Sequence, residues 1–281
     1  GLQCLNILRK FGRELQMMRR CDSYTFEPIT QARKDVFEGM KYQTIYDQIE
    51  NASPDVRAYE VNPTFCEARS KRNINADNLD YLCEGIEDLC QNPNRKFILG
   101  YQENPDALLH KFGCQSEEVR QYIRQAEEKI EAMCKRLQGT NSLVFVCADH
   151  GHQDITKTVS ILELEDILAC LIKPPSLESR SISFFVKEDK KQEFETCFEK
   201  HFKGEYLLYT KDEFLAKKFL GEGEKHPRLD DFLGNYIAIA IGDCAIKIET
   251  YLGKEKQSKK ATHCGFTPNE MEVPLIIYNA K

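Results

Sequence analysis

The sequence lacks any apolar run long enough to cross a lipid bilayer. Its longest runs, including 237–241 and 143–148, are far shorter than the roughly 20 residues of a spanning helix. It also lacks an excess of positive charge, since 39 lysines and arginines oppose 45 aspartates and glutamates for a net charge of −6. Because no long basic run occurs either, we expect no nucleic-acid partner and no membrane partner.

The twelve cysteines include no CxxC pair, which excludes the usual zinc-ribbon and thioredoxin spacings. Several of them lie in apolar runs, as Cys147 and Cys170 do. This placement predicts reduced, buried cysteines in a cytoplasmic protein. The segment 1–10 lacks the charged-then-apolar order of a signal peptide. It also lacks an initiator Met, which leaves an upstream signal open.

Short β-like runs alternate with amphipathic stretches along the 281 residues. Runs rich in β-branched and aromatic residues predict strands at 56–61, 96–101, 143–149, 181–187, 236–241, 244–250 and 273–278. Three- and four-residue apolar spacing predicts helices at 76–89, 116–137, 161–172 and 193–202. Strands separated by helices favour an α/β fold with a mostly parallel sheet, in which sites lie beyond the carboxyl ends of strands.

The domain organisation is predicted as one catalytic-type domain over 1–281 with an inserted cap. The cap is assigned to 155–235 because that region differs in texture, with a Pro-Pro pair and lysine-rich stretches. The segment 1–41 is predicted to be helical and basic.

The first chemistry-bearing segment, 101–110, directly follows a predicted strand. Pro105 suits the first turn of a helix. Asp106 and His110 are four residues apart, so a helix places them on one face, where a carboxylate and an imidazole can bind a divalent metal. Alone, the pair is also explained by a helix-terminal Asp beside a surface His.

The second segment, 147–154, contains Asp149 and His150 at the end of an apolar strand, before a turn at Gly151. A carboxylate buried there needs a partner, and a metal would supply one. The alternative is an Asp that caps the following helix. His152 is a candidate further ligand, but the favoured interpretation places it beside the ligands or on the substrate side.

The third segment, 262–278, places His263 before a glycine turn, a short capped helical turn and a strand expected to be buried. A single His in this position is usually a loop residue. Of the remaining histidines, His201 is predicted to lie on the surface and His226 in a loop, with the alternative that His226 reaches the site from the cap.

Together these segments resemble a known family. YQENPDALLHKFG, then ADHG, then HCGFTPNEMEVPLII occur in that order, with PPSLESRSISFFVK and HPRLDDFLGNYIAIA between the last two. This pattern, covering roughly 42–278, is similar to the nucleotide pyrophosphatase/type I phosphodiesterase branch of the alkaline phosphatase superfamily. The resemblance implies a three-layer α/β/α fold with a mostly parallel central sheet and an inserted α+β cap.

The resemblance also implies two divalent metals, commonly zinc, with manganese or iron as alternatives. Asp106, His110 and His263 would bind one metal, and Asp149 and His150 the other. The family completes the second site with an Asp from the first strand and a Thr or Ser nucleophile that attacks phosphorus.

The chain departs from the family pattern before residue 42. Asp22, Ser23, Thr25 and Thr30 have suitable side chains, but none stands in a matching context. We therefore expect the nucleophile upstream of this chain, in a segment that the chain lacks.

The sequence favours a metal-dependent hydrolase of phosphoric esters acting on a nucleotide or another small phosphodiester. Within the superfamily, the alternatives are a phosphomutase, a phosphonate hydrolase or a sulfatase. From another class, the alternative is a catalytically inactive metal-binding relative. The oligomeric state is not predicted.

Overall fold

A computed structural model of the chain describes residues 43–66, 68–225, 229, 233–247 and 259–281, together with the backbone of 7–10, 13–16 and 21–22. The chain divides into two compact units. The first, named here the parallel-sheet unit, comprises Lys41–Ala148 and Pro274–Lys281. The second, named the histidine unit, comprises Gly1–Met40 and Asp149–Val273.

The parallel-sheet unit contains a three-stranded parallel sheet. Strand β4 (Arg57–Asn62) lies at its centre, between β5 (Asn73–Asn75) and β6 (Lys96–Gly100). A second, antiparallel pair is formed by β7 (Ser142–Cys147) and β16 (Leu275–Ala280). The helices of this unit are Ile45–Ala52, Leu79–Gln91, Asp106–Phe112 and Glu117–Arg136.

The helix Glu117–Arg136 begins where the sequence predicts. The Ser116 hydroxyl accepts a hydrogen bond from the Val119 amide. Two glutamates in the first turn interact favourably with the positive, amino-terminal end of the helix dipole. Val119 and Met133 are buried on its apolar face, whereas Ile123 on the predicted face is 49% exposed. The core of the unit comprises Val61, Ala76, Leu79, Leu82, Cys83, Met133, Cys134, Leu137 and Ala280.

The strand expected to be buried at 273–278 is instead exposed. Leu275, Ile276 and Ile277 are 66%, 59% and 57% exposed. Their strand, β16, pairs only with β7 among the described strands. A continuous apolar run predicts a strand covered on both faces, but it does not specify which element supplies the cover.

The histidine unit is built on a four-stranded antiparallel sheet. The strands lie in the order β10 (Leu171–Glu178), β11 (Ser181–Val186), β13 (Tyr236–Ala240) and β12 (Tyr206–Thr210). Its helices are Glu165–Cys170, Lys191–Phe202, Lys211–Ala216 and Pro268–Met271, with 3₁₀ turns at Ile161–Glu163 and Glu188–Lys190. The range predicted for the cap, 155–235, includes most of the residues of this sheet, which extends to residue 240. The cap itself stays a prediction.

Two short strand pairs complete this unit. Strand β9 (Lys157–Ser160) pairs in parallel with β14 (Cys244–Lys247). Strand β8 (Gln153–Asp154) pairs antiparallel with β15 (Ala261–Thr262), joining the second and third chemistry-bearing segments. The α/β class with a parallel sheet is thus confirmed, although antiparallel pairing is more extensive than helix–strand alternation predicts.

The helix predicted at 161–172 is shorter in the structure. A 3₁₀ turn at Ile161–Glu163 precedes the helix Glu165–Cys170, and β10 begins at Leu171. The Pro-Pro pair at 174–175 cannot continue a helix, because proline lacks an amide donor. Prolines are tolerated on edge strands, and β10 lies at one edge of the sheet among the described strands, with register shifts on both sides of Lys173.

The segment 1–41, predicted to be helical, contains strands in its described part. These are β1 (Ile7–Lys10), β2 (Arg13–Gln16) and β3 (Cys21–Asp22), paired antiparallel in that order. Gly12 lies between the first two and lowers the helix propensity of the segment.

The cysteines that the structure describes are free thiols. Cys83, Cys134, Cys170 and Cys244 are buried as predicted, and burial raises the pKa of both Cys83 and Cys244 to about 11. Such thiols stay protonated at neutral pH and behave as small apolar groups. Cys147, expected to be buried in its apolar run, is exposed.

Across the described residues, no helix has the length and apolarity needed to cross a bilayer.

The core of the histidine unit is dominated by aromatic rings. Phe194 is fully buried, and its ring centroid lies 5.1–5.8 Å from those of Phe184, Phe198 and Tyr236. These spacings are those of favourable tilted aromatic pairs, and each ring buries a large apolar area.

We therefore expect Phe194→Ala to lower the free energy of unfolding by about 3–5 kcal/mol, the usual range for a buried Phe. Urea denaturation of the chain measures this change. The control is Ile172→Ala in the same unit, since Ile172 is 60% exposed and its loss should change stability by less than about 0.5 kcal/mol. Equal effects of the two substitutions would contradict the assignment of this core.

Candidate metal centre

The β8–β15 ladder brings together two loops that carry histidines. Asp154 pairs with Ala261 and Gln153 with Thr262, so His152 and His263 flank the same short ladder. Outside the ladder, the Asn269 side-chain amide donates to the Gln153 side-chain oxygen over 3.0 Å. The antiparallel register therefore aligns two segments that are far apart in the sequence.

Three imidazoles converge at this ladder. The rings of His150 and His263 are stacked, with centroids 3.8 Å apart and planes at 17°. The ring of His152 lies 5.2 Å from that of His150 and 5.0 Å from that of His263. Each histidine offers one ring nitrogen, and these nitrogens lie within 4.8 Å of one another. This group of donors is named here the histidine cluster.

His152 belongs to the cluster, whereas the sequence favours a position beside the ligands or on the substrate side. It is 7% exposed, so its ring is held within the protein rather than in solvent. The sequence signal that could have found it is its two-residue spacing from His150, directly before β8. That spacing alone does not show which way either ring points.

The hydrogen bonding of His150 leaves one of its nitrogens available to a cation. Its Nδ1 lies 3.0 Å from the Gly151 carbonyl oxygen. Because a carbonyl only accepts, Nδ1 carries the proton and donates, and Nε2 retains a lone pair in the neutral ring. Metal-binding histidines commonly donate their second nitrogen in this way.

Asp149 lies beside that available nitrogen, with its Oδ1 3.6 Å from Nε2 of His150. Two electron-pair donors facing each other at this distance suit a shared cation. The Asp149 side chain is 60% exposed, however, so the premise that it is a buried carboxylate in need of a partner is wrong. Its role as a ligand stays a prediction.

The parallel-sheet unit holds the other predicted pair. The helix Asp106–Phe112 begins directly after Pro105, as the sequence predicts, and Asp106 lies in its first turn. Oδ1 of Asp106 is 3.4 Å from Nε2 of His110, one turn later on the same face. The two side chains are 33% and 15% exposed, so the pair is partly withdrawn from solvent.

His263 lies in a constrained turn. Its Nδ1 contacts the Cys264 sulfur at 3.0 Å, and Cys264 has a φ of 86°, which is uncommon for a residue other than glycine. Gly265 follows, where an added Cβ would lie 2.6 Å from the Glu270 carboxylate and 2.8 Å from the Ala240 carbonyl oxygen. Only glycine fits there without displacing its surroundings.

Two histidines, His201 and His226, lie outside both the predicted ligand set and the histidine cluster. His201, predicted to lie on the surface, is partly buried, and its Nε2 lies 2.8 Å from Oδ2 of Asp166. This contact lowers the pKa of Asp166. His226 lies outside the described residues, as do Ser23, Thr25 and Thr30.

Gly151 permits the close approach of the two histidine loops. Its amide donates to the Glu270 carbonyl oxygen over 2.8 Å, and a Cβ at this position would lie 2.0 Å from the Asn269 carbonyl oxygen. Both neighbours are backbone atoms, so a side chain here cannot be accommodated by a rotamer change.

Gly151→Ala should therefore separate the loops and lower the free energy of unfolding by about 1–3 kcal/mol, as overpacking usually does. Thermal unfolding of the purified chain measures the effect. Gly223→Ala is the matched control, because nothing lies within 4 Å of a Cβ there. An unchanged melting temperature for Gly151→Ala would contradict the described approach.

Solved structures with a similar fold include three phosphorus-ester or phosphonate hydrolases. An inactive murine ectonucleotide pyrophosphatase/phosphodiesterase 5 in complex with AMP is 17% identical, with a TM-score of 0.59 over 85% of this chain and 63% of that one. The human protein of the same name is 15% identical, with a TM-score of 0.59 over 84% and 63%. Phosphonoacetate hydrolase from Sinorhizobium meliloti 1021 with phosphonoformate is 13% identical, with a TM-score of 0.60 over 84% and 68%.

At these identities the likeness shows the fold alone, and it confirms the alkaline-phosphatase-like α/β fold that the motifs imply. The chain spans 62–63% of the length of the ectonucleotide pyrophosphatase/phosphodiesterase 5 structures. No sequence among the curated proteins matches it.

The family described as type I phosphodiesterase / nucleotide pyrophosphatase matches residues 24–231, which is more than half of the chain. The matched range includes Asp106, His110, Asp149 and His150, and it ends before His263. The chain therefore belongs to the type I phosphodiesterase / nucleotide pyrophosphatase family.

Proposed function

We propose that the protein is a metal-dependent hydrolase of phosphoric esters, of the phosphodiesterase or nucleotide pyrophosphatase type. The observation that carries this proposal is the histidine cluster, in which three imidazole nitrogens lie within 4.8 Å of one another in a member of this family. A nucleotide or another small phosphodiester is the proposed substrate class.

The donor chemistry of the cluster fits a divalent metal. Imidazole nitrogens bind zinc at about 2.0–2.1 Å, which places two of them roughly 3–4 Å apart around one ion. The ions of a two-metal site lie about 3.5–4 Å apart, so imidazoles that bind neighbouring ions also come close together. The 4.8 Å upper limit of the cluster spacing is compatible with one shared ion or two neighbouring ions after small side-chain movements. The Gly151 carbonyl oxygen already orients the His150 ring for such a bond.

We propose the ligand assignment that the family motifs imply. Asp106, His110 and His263 hold one metal, and Asp149 and His150 hold the other. Two carboxylate–imidazole pairs with donor atoms 3.4 Å and 3.6 Å apart support this assignment, one pair within each unit. Zinc is the proposed ion, because borderline metals prefer imidazole, and manganese or iron is the alternative.

A bound metal would draw electron density from the phosphoryl oxygens and neutralise charge that develops on them. The chain's own residues would hold and orient the ion. His150 donates its Nδ1 proton to the Gly151 carbonyl oxygen and presents Nε2, and the low exposure of His152 limits water on that side of the cluster. The proposed nucleophile is a Thr or Ser hydroxyl that the described residues do not identify.

The first test measures metal binding directly. Elemental analysis and chelator competition should show bound zinc in the wild-type chain, and His263→Ala should weaken its affinity by about 10-fold or more, because one imidazole ligand is lost. His201→Ala is the matched control, since His201 bonds Asp166 outside the cluster. Equal zinc affinity in all three proteins would contradict the proposed site.

The second test measures hydrolysis. We expect metal-dependent turnover of bis-p-nitrophenyl phosphate in excess of p-nitrophenyl phosphate, with Zn²⁺ or Mn²⁺ restoring activity after EDTA treatment. Phosphonoacetate serves as the comparison substrate for a phosphonate hydrolase. A chain that binds zinc yet hydrolyses none of these compounds would favour an inactive metal-binding relative over the proposed enzyme.

A further inference from the structure

Arg180 and Glu270 form an ion pair in the interior of the histidine unit. Their side chains are 0% and 1% exposed. Nε of Arg180 donates to Oε1 of Glu270 over 2.5 Å, and Nη2 donates to Oε2 over 2.7 Å. Two parallel hydrogen bonds of this kind fix the relative orientation of both groups.

The rest of each side chain is also hydrogen-bonded. Arg180 donates through Nη1 to the Cys244 carbonyl oxygen over 2.9 Å and through Nη2 to the Gly242 carbonyl oxygen over 2.8 Å. Glu270 accepts from the Gly265 amide over 2.8 Å. It also accepts from the amide and hydroxyl of Thr267, over 3.3 Å and 2.7 Å. Each nitrogen of the guanidinium and each oxygen of the carboxylate therefore makes at least one hydrogen bond.

The network of these hydrogen bonds reaches both loops of the histidine cluster. The Glu270 side chain holds Gly265, two residues after His263, and the Glu270 carbonyl oxygen holds the Gly151 amide, between His150 and His152. One residue thus fixes the backbone on both sides of the cluster. From the arginine side, the Ser181 hydroxyl next to Arg180 donates to the Cys264 carbonyl oxygen.

Energetic considerations favour a positioning role over a purely stabilising one. Removing two charges from water costs several kcal/mol per ion, and well-packed apolar replacements of buried pairs are often as stable as the pair. Stability alone therefore gives little reason for a bidentate pair here. A need for a specific geometry explains the pair better, because the pair fixes the distance between the two histidine loops. One of these loops has a strained backbone at Cys264.

We propose that Arg180 and Glu270 are positioning residues that set the metal affinity of the histidine cluster. The inference rests on the metal site of the proposed function. The pair acts through the backbone at Gly151 and Gly265, and it holds the imidazoles of His150 and His263 in place before an ion arrives. Neither Arg180 nor Glu270 serves as a ligand.

The test uses the full chain with Glu270→Gln and with the double variant Arg180→Met/Glu270→Leu. Glu270→Gln keeps the shape of the side chain and removes its charge, while the double variant keeps apolar volume and removes the network. Phe194→Leu is the matched control, because it reduces packing in the core of the same unit at a side chain that has no hydrogen-bonding group.

Zinc affinity is measured by chelator competition well below the melting temperature of each variant, and the visible absorption of bound Co²⁺ reports the ligand geometry. We expect both network variants to bind zinc about 10–100-fold more weakly, as loss of residues that orient ligands usually produces. Their Co²⁺ spectra should change, whereas Phe194→Leu should lower only the melting temperature.

A measurement without metal tests the variants whose zinc affinity is too weak to measure. The imidazole carbon-bound proton signals of His150 and His263 in NMR spectra should shift in Glu270→Gln and stay unchanged in Phe194→Leu. If the double variant does not fold, Glu270→Gln alone decides.

Wild-type zinc affinity and unchanged histidine signals in folded Glu270→Gln would overturn the inference and leave the proposed function intact. A wild-type chain that binds neither zinc nor Co²⁺ would contradict the proposed function, and with it the role of the pair.

Discussion

The hydrogen bond from the Gly151 amide to the Glu270 carbonyl oxygen, 2.8 Å long, joins two loops on which the candidate chemistry depends. With the β8–β15 ladder beside it, it places His150 and His152 against His263. These loops are separated by more than 100 residues of chain, so the closure entropy must be offset by the contacts that form around them. Glycine at 151 and at 265 allows that approach, since a Cβ at either position would meet atoms closer than van der Waals contact.

The stacked imidazoles make this arrangement suitable for metal binding. With ring centroids 3.8 Å apart, His150 and His263 can present nitrogens to one ion or to two neighbouring ions. The same loops are held by hydrogen bonds of the buried Arg180–Glu270 ion pair, and apolar replacements of such pairs are often as stable as the pair itself. Family membership, the imidazole donors and the buried Arg180–Glu270 pair therefore support one proposal. In it, a preformed set of ligands binds a divalent metal next to a phosphoryl group.

Part of this organisation is readable from the sequence. Spacing alone places Asp106 and His110 on one helix face, because a Pro before the helix and a four-residue interval leave few alternatives. The importance of His263 came instead from the family motif, since a lone His before a glycine turn carries no local signal. His152 was not assigned as a ligand, because side-chain direction at the start of a two-residue strand depends on a partner strand 100 residues away.

Other features could not be predicted because they depend on long-range packing. Arg180 and Glu270 are 90 residues apart and no local sequence pattern pairs them, yet both are buried and form an ion pair. Conversely, Leu275–Ala280 looks like a buried strand and is largely exposed. Hydrophobic pattern identifies a strand, but burial is decided by the neighbours that the rest of the fold provides.

Anomalous scattering from crystals of the chain grown with zinc locates the bound ion. We expect a peak at the zinc absorption edge within bonding distance, about 2.0–2.1 Å, of imidazole nitrogens of His150 or His263. Zinc bound elsewhere on the protein, with the histidine cluster unoccupied at saturating metal, would contradict the proposed metal site.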